Sequence, residues 1–326
     1  MGTCTPLEGI NALNPWPASE MALKHSIPNP SSKPNSKNCP EDSLTLSLDD
    51  CYTQSVVSRW QADQQLDALD QIADEIPVAM VYNGISHAVM MASPCDLEDF
   101  ALGFSLSEGI IKTAGEVYGL ELVMADTDNL AAGIEVQLSI TTQRSMQLKQ
   151  RRRNLTGRTG CGLCGTESLQ QAIRPVKRVP CLPIASPTAV EQALTQLKAN
   201  QPLQTITGAC HGAAWCDLQG NIQLLREDVG RHNALDKLLG ALQQSNTDLS
   251  EGFVLVSSRA SYEMVHKAAS RGVSTLVAVS APTGLALQLA QQAGLNLIGF
   301  ARPGRHVIYN QSVTTGSTQS FDDSKE

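Results

Sequence analysis

Ile134, Val136, Leu138 and Ile140 alternate with Glu135, Gln137 and Ser139, the period-two pattern of a half-buried strand over residues 133–141. Upstream, Glu75-Ile76-Pro77-Val78-Ala79-Met80-Val81-Tyr82 reads as a strand that ends in the turn signal Asn83-Gly84. Ile85 to Met91 is the natural second arm of that hairpin. Ser93-Pro94 then predicts an N-cap and first helical position, with Asp96, Glu98 and Asp99 favouring the positive end of the helix. Leu97, Phe100, Ala101, Phe104 and Leu106 form its apolar stripe, and Glu108-Gly109 stops it. These elements predict a small α+β unit.

A basic run from Lys149 to Arg153 marks a boundary, beyond which helical and strand patterns alternate. Ser186-Pro187 opens a helix to about Ala199, with Val190, Ala193, Leu194 and Leu197 on one side. Strands are predicted at Ile222 to Arg226, Phe253 to Ser257, Thr275 to Ser280 and Asn296 to Phe300. Between them fall helices at Asn233 to Gln243, Tyr262 to Ser270 and Leu285 to Ala293, the last closed by Gly294. Such alternation implies a sheet covered on both faces and at least partly parallel. No internal repeat is present. Seven of the sixteen prolines lie before residue 47, among Asn, Ser and Lys, so residues 1–46 read as a disordered leader. The expected layout is a leader over 1–46, an α+β domain over 47–148, an α/β domain over 149–310 and a tail over 311–326.

The length of 326 residues suits two domains with proper cores. A net charge of −8 argues against wholesale binding to nucleic acid. No apolar stretch approaches a membrane span or a signal-peptide core, so a cytoplasmic protein is expected. The nine cysteines are odd in number and scattered, which does not suit a disulfide framework. In a reducing compartment a close pair suggests metal binding or reactive sulfur.

That pair is in Thr159-Gly160-Cys161-Gly162-Leu163-Cys164-Gly165-Thr166. Thiols three positions apart can face one point, and the glycines let the backbone bend and leave the sulfurs accessible. Arg151, Arg152, Arg153 and Arg158 lie just upstream and favour thiolate, the attacking species in sulfur exchange. A structural zinc site needs four ligands, and Cys210, His211 and Cys216 are poorly spaced to complete it. A dithiol oxidoreductase is permitted by the pair alone, but a clear thioredoxin-like strand does not precede it. Zinc deaminase chemistry needs His-x-Glu and Pro-Cys-x-x-Cys; no histidine here has Glu two places on, and Gly160 precedes Cys161.

The Cys161–Gly165 segment is one of four ordered blocks that resemble the FdhD family of sulfur carrier proteins required for formate dehydrogenase. The others run from Ser93 through Phe104 to Ile111, from Arg226 to Lys237, and from Ser257 to Val265. The resemblance covers about residues 75 to 310 and implies a cytidine-deaminase-like α/β domain without deaminase chemistry. It also implies sulfur taken from an IscS-type cysteine desulfurase as a persulfide on Cys161, with Cys164 its partner. The sulfur would pass to the molybdenum (or tungsten) bis(molybdopterin guanine dinucleotide) cofactor of formate dehydrogenase. Homodimerisation is a family expectation only. An insertion chaperone for that cofactor without sulfur transfer, or a zinc-bound module, remains the alternative.

Candidate cofactor contacts follow from position. Arg231 and His232 lie where a strand turns into a helix, and Ser257, Ser258 and Arg259 follow a buried strand, where ligands of open α/β sheets sit. Phe300, Ala301, Arg302, Pro303, Gly304 and Arg305 follow the last strand, with two arginines suited to diphosphate. His211 is placed to line the pocket, and Cys210 beside it reads as a small buried residue. The plainer reading of each is a helix cap or an exposed basic loop; for Ser258 it is capping of the next helix.

Overall fold

A computed structural model of the chain describes residues 44, 46–126, 129–156 and 175–312, for 151–156 the backbone alone. A two-stranded antiparallel ribbon comes first, β1 (Tyr52–Gln61) and β2 (Gln64–Ala73), running in register from Tyr52↔Ala73 to Gln61↔Gln64. A four-stranded sheet follows, built from β3 (Ile76–Tyr82), β4 (Ile85–Ala92), β5 (Val117–Met124) and β6 (Ile134–Ile140) in the order β4-β3-β6-β5. Asn83 and Gly84 both take positive φ, 48° and 77°, which is the hairpin turn that their types favour. Helix α1 (Leu97–Ser107) covers one face, packing Phe100 and Phe104 with Val78, Met80, Tyr82 and Val136.

The helix begins later than Ser93-Pro94 suggests, and Asp96 at φ 52° is its N-cap. Ser93 is not available to cap. Its N–H donates to Asp228 Oδ2 at 3.1 Å, its Oγ accepts from Val229 N–H at 3.2 Å, and its carbonyl accepts from Lys237 Nζ at 3.0 Å. A long-range partner has taken every group that a cap would use. The basic run from Lys149 falls within α2 (Thr142–Thr156), so helix continues through the expected boundary.

The second half begins with α3 (Pro187–Leu197), whose N-cap Ser186 accepts from Ala189 N–H as its sequence predicts, and α4 (Pro202–Thr207). Then come β7 (His211–Asp217), β8 (Ile222–Asp228), α5 (Arg231–Gln244), β9 (Gly252–Val256), α6 (Tyr262–Ser270) and β10 (Thr275–Ala278). Helix α7 (Gly284–Ala293), β11 (Asn296–Arg302) and β12 (Arg305–Asn310) complete it. The six strands order as β12-β11-β10-β9-β7-β8, with β9, β10 and β11 parallel and β7 and β12 reversed. Side chains alternate across it. Ala213, Trp215, Val254 and Val256 face α5, α6 and α7, whereas Ala214, Cys216, Phe253 and Leu255 face α3.

The two sheets are joined where α1 crosses α5. Glycines permit the approach: a Cβ on Gly103 would strike the Asp236 carbonyl, and one on Gly240 the Asp99 carbonyl. Beside the crossing, Lys267 Nζ reaches Asp236 at 2.8 Å, Glu108 at 3.0 Å and Ser107 Oγ at 3.0 Å. Gly103→Ala is expected to lower stability by about 1–3 kcal/mol through overpacking, read as a lower urea midpoint at unchanged slope. An unchanged midpoint would mean that the helices do not meet at this distance.

Candidate functional site

The strand polarity gathers the carboxyl ends of β8, β9, β10 and β11 and the start of β7 along one edge of the six-stranded sheet. Backbone hydrogen bonds lace that edge. Phe300 N–H donates to the Ser280 carbonyl (3.1 Å), Ser280 N–H to Ser258 (3.3 Å) and Ser257 N–H to Gly212 (2.9 Å). Gly212 N–H returns a bond to Ser257 Oγ at 2.9 Å, and His211 is in register with Asp228. The structure therefore brings Phe300, Ser258, Ser257 and His211 onto one row that ends at the β8–α5 turn.

That turn is built on Asp228, which is fully buried. Its Oδ1 accepts from Gly230 N–H at 2.7 Å and Asn233 Nδ2 at 3.0 Å. Its Oδ2 accepts from Ser93 N–H and from Lys237 Nζ at 2.7 Å, itself fully buried. The turn places Arg231 and His232 in the first turn of α5, where helix N–H groups and their dipole favour an anion. Among the described residues, Arg231 Nε and the hydroxyl of Ser261, the N-cap position of α6, are buried polar atoms with no hydrogen-bond partner. Burial without a partner is unfavourable for both, so these atoms mark a place where a ligand would satisfy them.

His232 Nε2 lies 2.7 Å from Glu263 Oε2 without hydrogen-bond alignment. Burial pulls the His232 imidazole below its ordinary pKa, Glu263 opposes, and Arg231, Lys267 and His211 add to the depression. Burial and then Arg231 lower His211 likewise. The row therefore presents neutral imidazoles and permanently charged guanidinium at neutral pH.

Arg302 and Arg305 pair across the β11–β12 hairpin, one turn beyond Phe300. Gly304 N–H donates to Glu191 Oε2 at 2.8 Å, which fixes Pro303-Gly304 against α3. Phe300 is exposed at φ 50° within a register shift, while Ala301 turns inward and is buried. Ser258 does not cap α6; its hydroxyl bonds the Arg259 carbonyl at 3.0 Å. Cys161 and Cys164 lie outside the described residues. Cys216 packs into the core under α3, and Cys210 is 6% exposed beside Thr207, as a small buried residue should be. Among the described residues no three His, Cys, Asp or Glu side chains group to hold a metal. No helix is long and apolar enough to cross a membrane among them. Sequence alone offers Asp228 as a cap of a charged turn and gives Lys237, Ser261 and Glu263 no separate roles. Nothing local marks Asp228 and Lys237 as a buried pair, because the run from Arg226 to Asn233 is rich in charge and reads as a solvated turn.

The chain is thus an α/β protein of two joined sheets with an anion-suited edge at the carboxyl ends of its parallel strands. It belongs to the FdhD/NarQ family, whose model matches residues 73–315. It is 56% identical over 253 residues to the sulfur carrier protein FdhD of Cupriavidus necator, covering 78% of this chain and 86% of that protein. It is 50% identical over 254 residues to the sulfur carrier protein FdhD of Xanthomonas euvesicatoria, covering 78% and 89%. The fold resembles the crystal structure of a candidate formate dehydrogenase accessory protein from Desulfotalea psychrophila. That match has a TM-score of 0.59 at 22% identity and covers 80% of this chain and 97% of that one.

A histidine NMR titration is expected to give midpoints below about 6.5 for both His211 and His232. Unfolded imidazoles then take up protons first, so this share of stability is complete above that pH and falls as pH drops towards the folded values. A His232 midpoint above it would show that Glu263 outweighs burial.

Proposed function

We propose that the chain is a sulfur carrier that serves formate dehydrogenase, as the names of its relatives suggest. Cys161 thiolate attacks the outer sulfur of a persulfide on an IscS-type cysteine desulfurase, forming Cys161–S–SH and releasing the desulfurase thiolate. Cys164 is its partner thiol. The acceptor is the molybdenum or tungsten bis(molybdopterin guanine dinucleotide), held as substrate before formate dehydrogenase receives it. The action is cytoplasmic, and the six-stranded domain is the cytidine-deaminase-like scaffold that the family implies. The carrying observation is the pair of buried, unpartnered polar groups, Arg231 Nε and Ser261 Oγ, on an edge that also offers His211, His232, Ser257 and the exposed Arg259. Those donors suit the phosphates of a guanine dinucleotide, and Arg302 with Arg305 add charge beyond the exposed Phe300.

Incubation with desulfurase and cysteine is expected to add about 32 Da, one sulfur atom, to the Cys161 peptide. Cys161→Ala abolishes that adduct and leaves guanine nucleotide binding intact; Arg302→Ala with Arg305→Ala weakens the binding and leaves the adduct. If Cys161→Ala with Cys164→Ala still matured formate dehydrogenase normally, the carrier reading would fall and a binding chaperone would replace it.

A further inference from the structure

A second set of cysteines gathers at the other side of the β8–α5 turn. Cys51, Cys210 and Leu203 form a small buried cluster, against which Cys95, Val229, Tyr52 and Ala73 pack. Cys51 closes the short 3-10 turn before β1, and Cys95 lies in the loop between β4 and α1. Cys51 is wholly buried, whereas Cys95 is partly open to solvent. Cys95 and Cys51 belong to the same packed cluster, and the Cys51 thiol donates to the Ser47 carbonyl at 3.5 Å. Behind Cys95 stands Lys237, fully buried, with Nζ 3.9 Å from Cys95 Sγ. Cys210 Sγ is 3.9 Å from Thr207 Oγ1, and burial raises its thiol to about 11.

This arrangement has the parts of a reactive dithiol. One cysteine is partly open to solvent and stands beside a buried ammonium; the second is sheltered in the same cluster. The hydrogen bond from Cys51 and the charge of Lys237 favour Cys95 thiolate, against burial and the carboxylates of Asp96 and Asp228. Cys51 is raised above the ordinary thiol range first by that same bond to Cys95, and Lys237 opposes. Once the Cys95 sulfur is capped it carries no charge and no longer holds the proton on Cys51; burial still favours the thiol there, and Lys237 favours the thiolate.

We propose that Cys95 and Cys51 form a second thiol centre, separate from Cys161 and Cys164, in which Cys95 attacks a low-molecular-weight disulfide and Cys51 resolves the adduct. In the first step Cys95 S⁻ bonds one sulfur of R–S–S–R and expels RS⁻, leaving Cys95–S–S–R. In the second, Cys51 gives up its proton, bonds the Cys95 sulfur and expels the second RS⁻. The two cysteine thiols lose two electrons, and the small disulfide gains them as two RSH. The product ties the entry to β1 to the loop whose Ser93 is bonded to Asp228 and Val229, so the bond forms beside the turn that carries Arg231 and His232.

The test uses the full chain carrying Cys161→Ser and Cys164→Ser, treated with oxidised glutathione, quenched with an alkylating agent and mapped without reduction. A linked Cys51–Cys95 peptide, about 2 Da lighter than the two thiol peptides together, is expected. Cys51→Ser should halt at a glutathione adduct on Cys95, and Cys95→Ser should leave Cys51 reduced. The rate of Cys95 alkylation against pH should have its midpoint below the ordinary thiol value of about 8.5, whatever its access. Recovery of Cys95 as a free thiol after exposed Cys181 has been converted would overturn the proposal. So would pairing of Cys95 with Cys210, or a midpoint at or above the ordinary value. None of these readouts depends on sulfur loading at Cys161.

Discussion

A buried ion pair, Lys237 with Asp228 at 2.7 Å, sets the arrangement of everything near the candidate site. Taking two charges out of water costs several kcal/mol per ion, so the pair persists only because its surroundings satisfy it. Asp228 accepts from the backbone of Gly230 and Ser93 and from Asn233 as well as from the ammonium. Lys237 donates to the carbonyls of Ser93 and Glu227 besides the carboxylate. Burial alone would pull the Lys237 amine down; the charges of Asp228 and Cys95 outweigh it and hold the amine above its ordinary pKa. Apart from the Asn233 amide, each of these partners is backbone, so satisfying the pair fixes the main chain around it. The turn before α5 and the loop before α1 are therefore one structure, although they are far apart in sequence.

A second charged cluster, Lys267 with Asp236 and Glu108, sits at the α1–α5 crossing, where glycines bring backbone against backbone. The helices cannot slide there without exposing buried charge or separating packed main chain. Two clamps on one seam tie the first sheet to the half of the chain that carries the site. The expectation of two consecutive domains does not convey this, because the residues on the two sides of each clamp are more than a hundred positions apart.

Elements with a complete apolar period were legible in the sequence: β3, β4, α1, β6, α3 and the β9-to-β11 alternation all fall near their expected spans. The β1–β2 ribbon was not, because neither of its faces is buried; Val56, Trp60 and Leu69 are exposed, and no alternation survives to be read. Strand β7 was missed for the opposite reason. Gly212 through Cys216 are all buried, so its pattern is a short continuous run that could belong to strand or helix. The start of α1 was misplaced because Ser93 has a better use than capping. At the site, Arg231, His232, Ser257 and Ser258 were legible as polar residues at strand ends. Which of them would be left buried without a partner was not, since that depends on what packs over each atom.

Electrostatics links the edge to the function proposed for it. Under the proposed function a chain of net charge −8 would hold an anionic ligand close to a thiolate or persulfide, itself an anion. Two unit charges about 4 Å apart interact by roughly 4 kcal/mol at the effective dielectric of a protein surface, so an uncompensated pair of anions would weaken binding severely. Neutral His211 and His232 add no charge, and the burden falls on arginine, which stays ionised at every pH of interest. Arg231 at the head of α5 and Arg302 with Arg305 on the hairpin lie at opposite ends of the laced row, a spacing suited to an extended ligand with more than one phosphate rather than to a single small anion. Cys95 has a different cation beside it, the fully buried Lys237 at 3.9 Å, which it shares with Asp228.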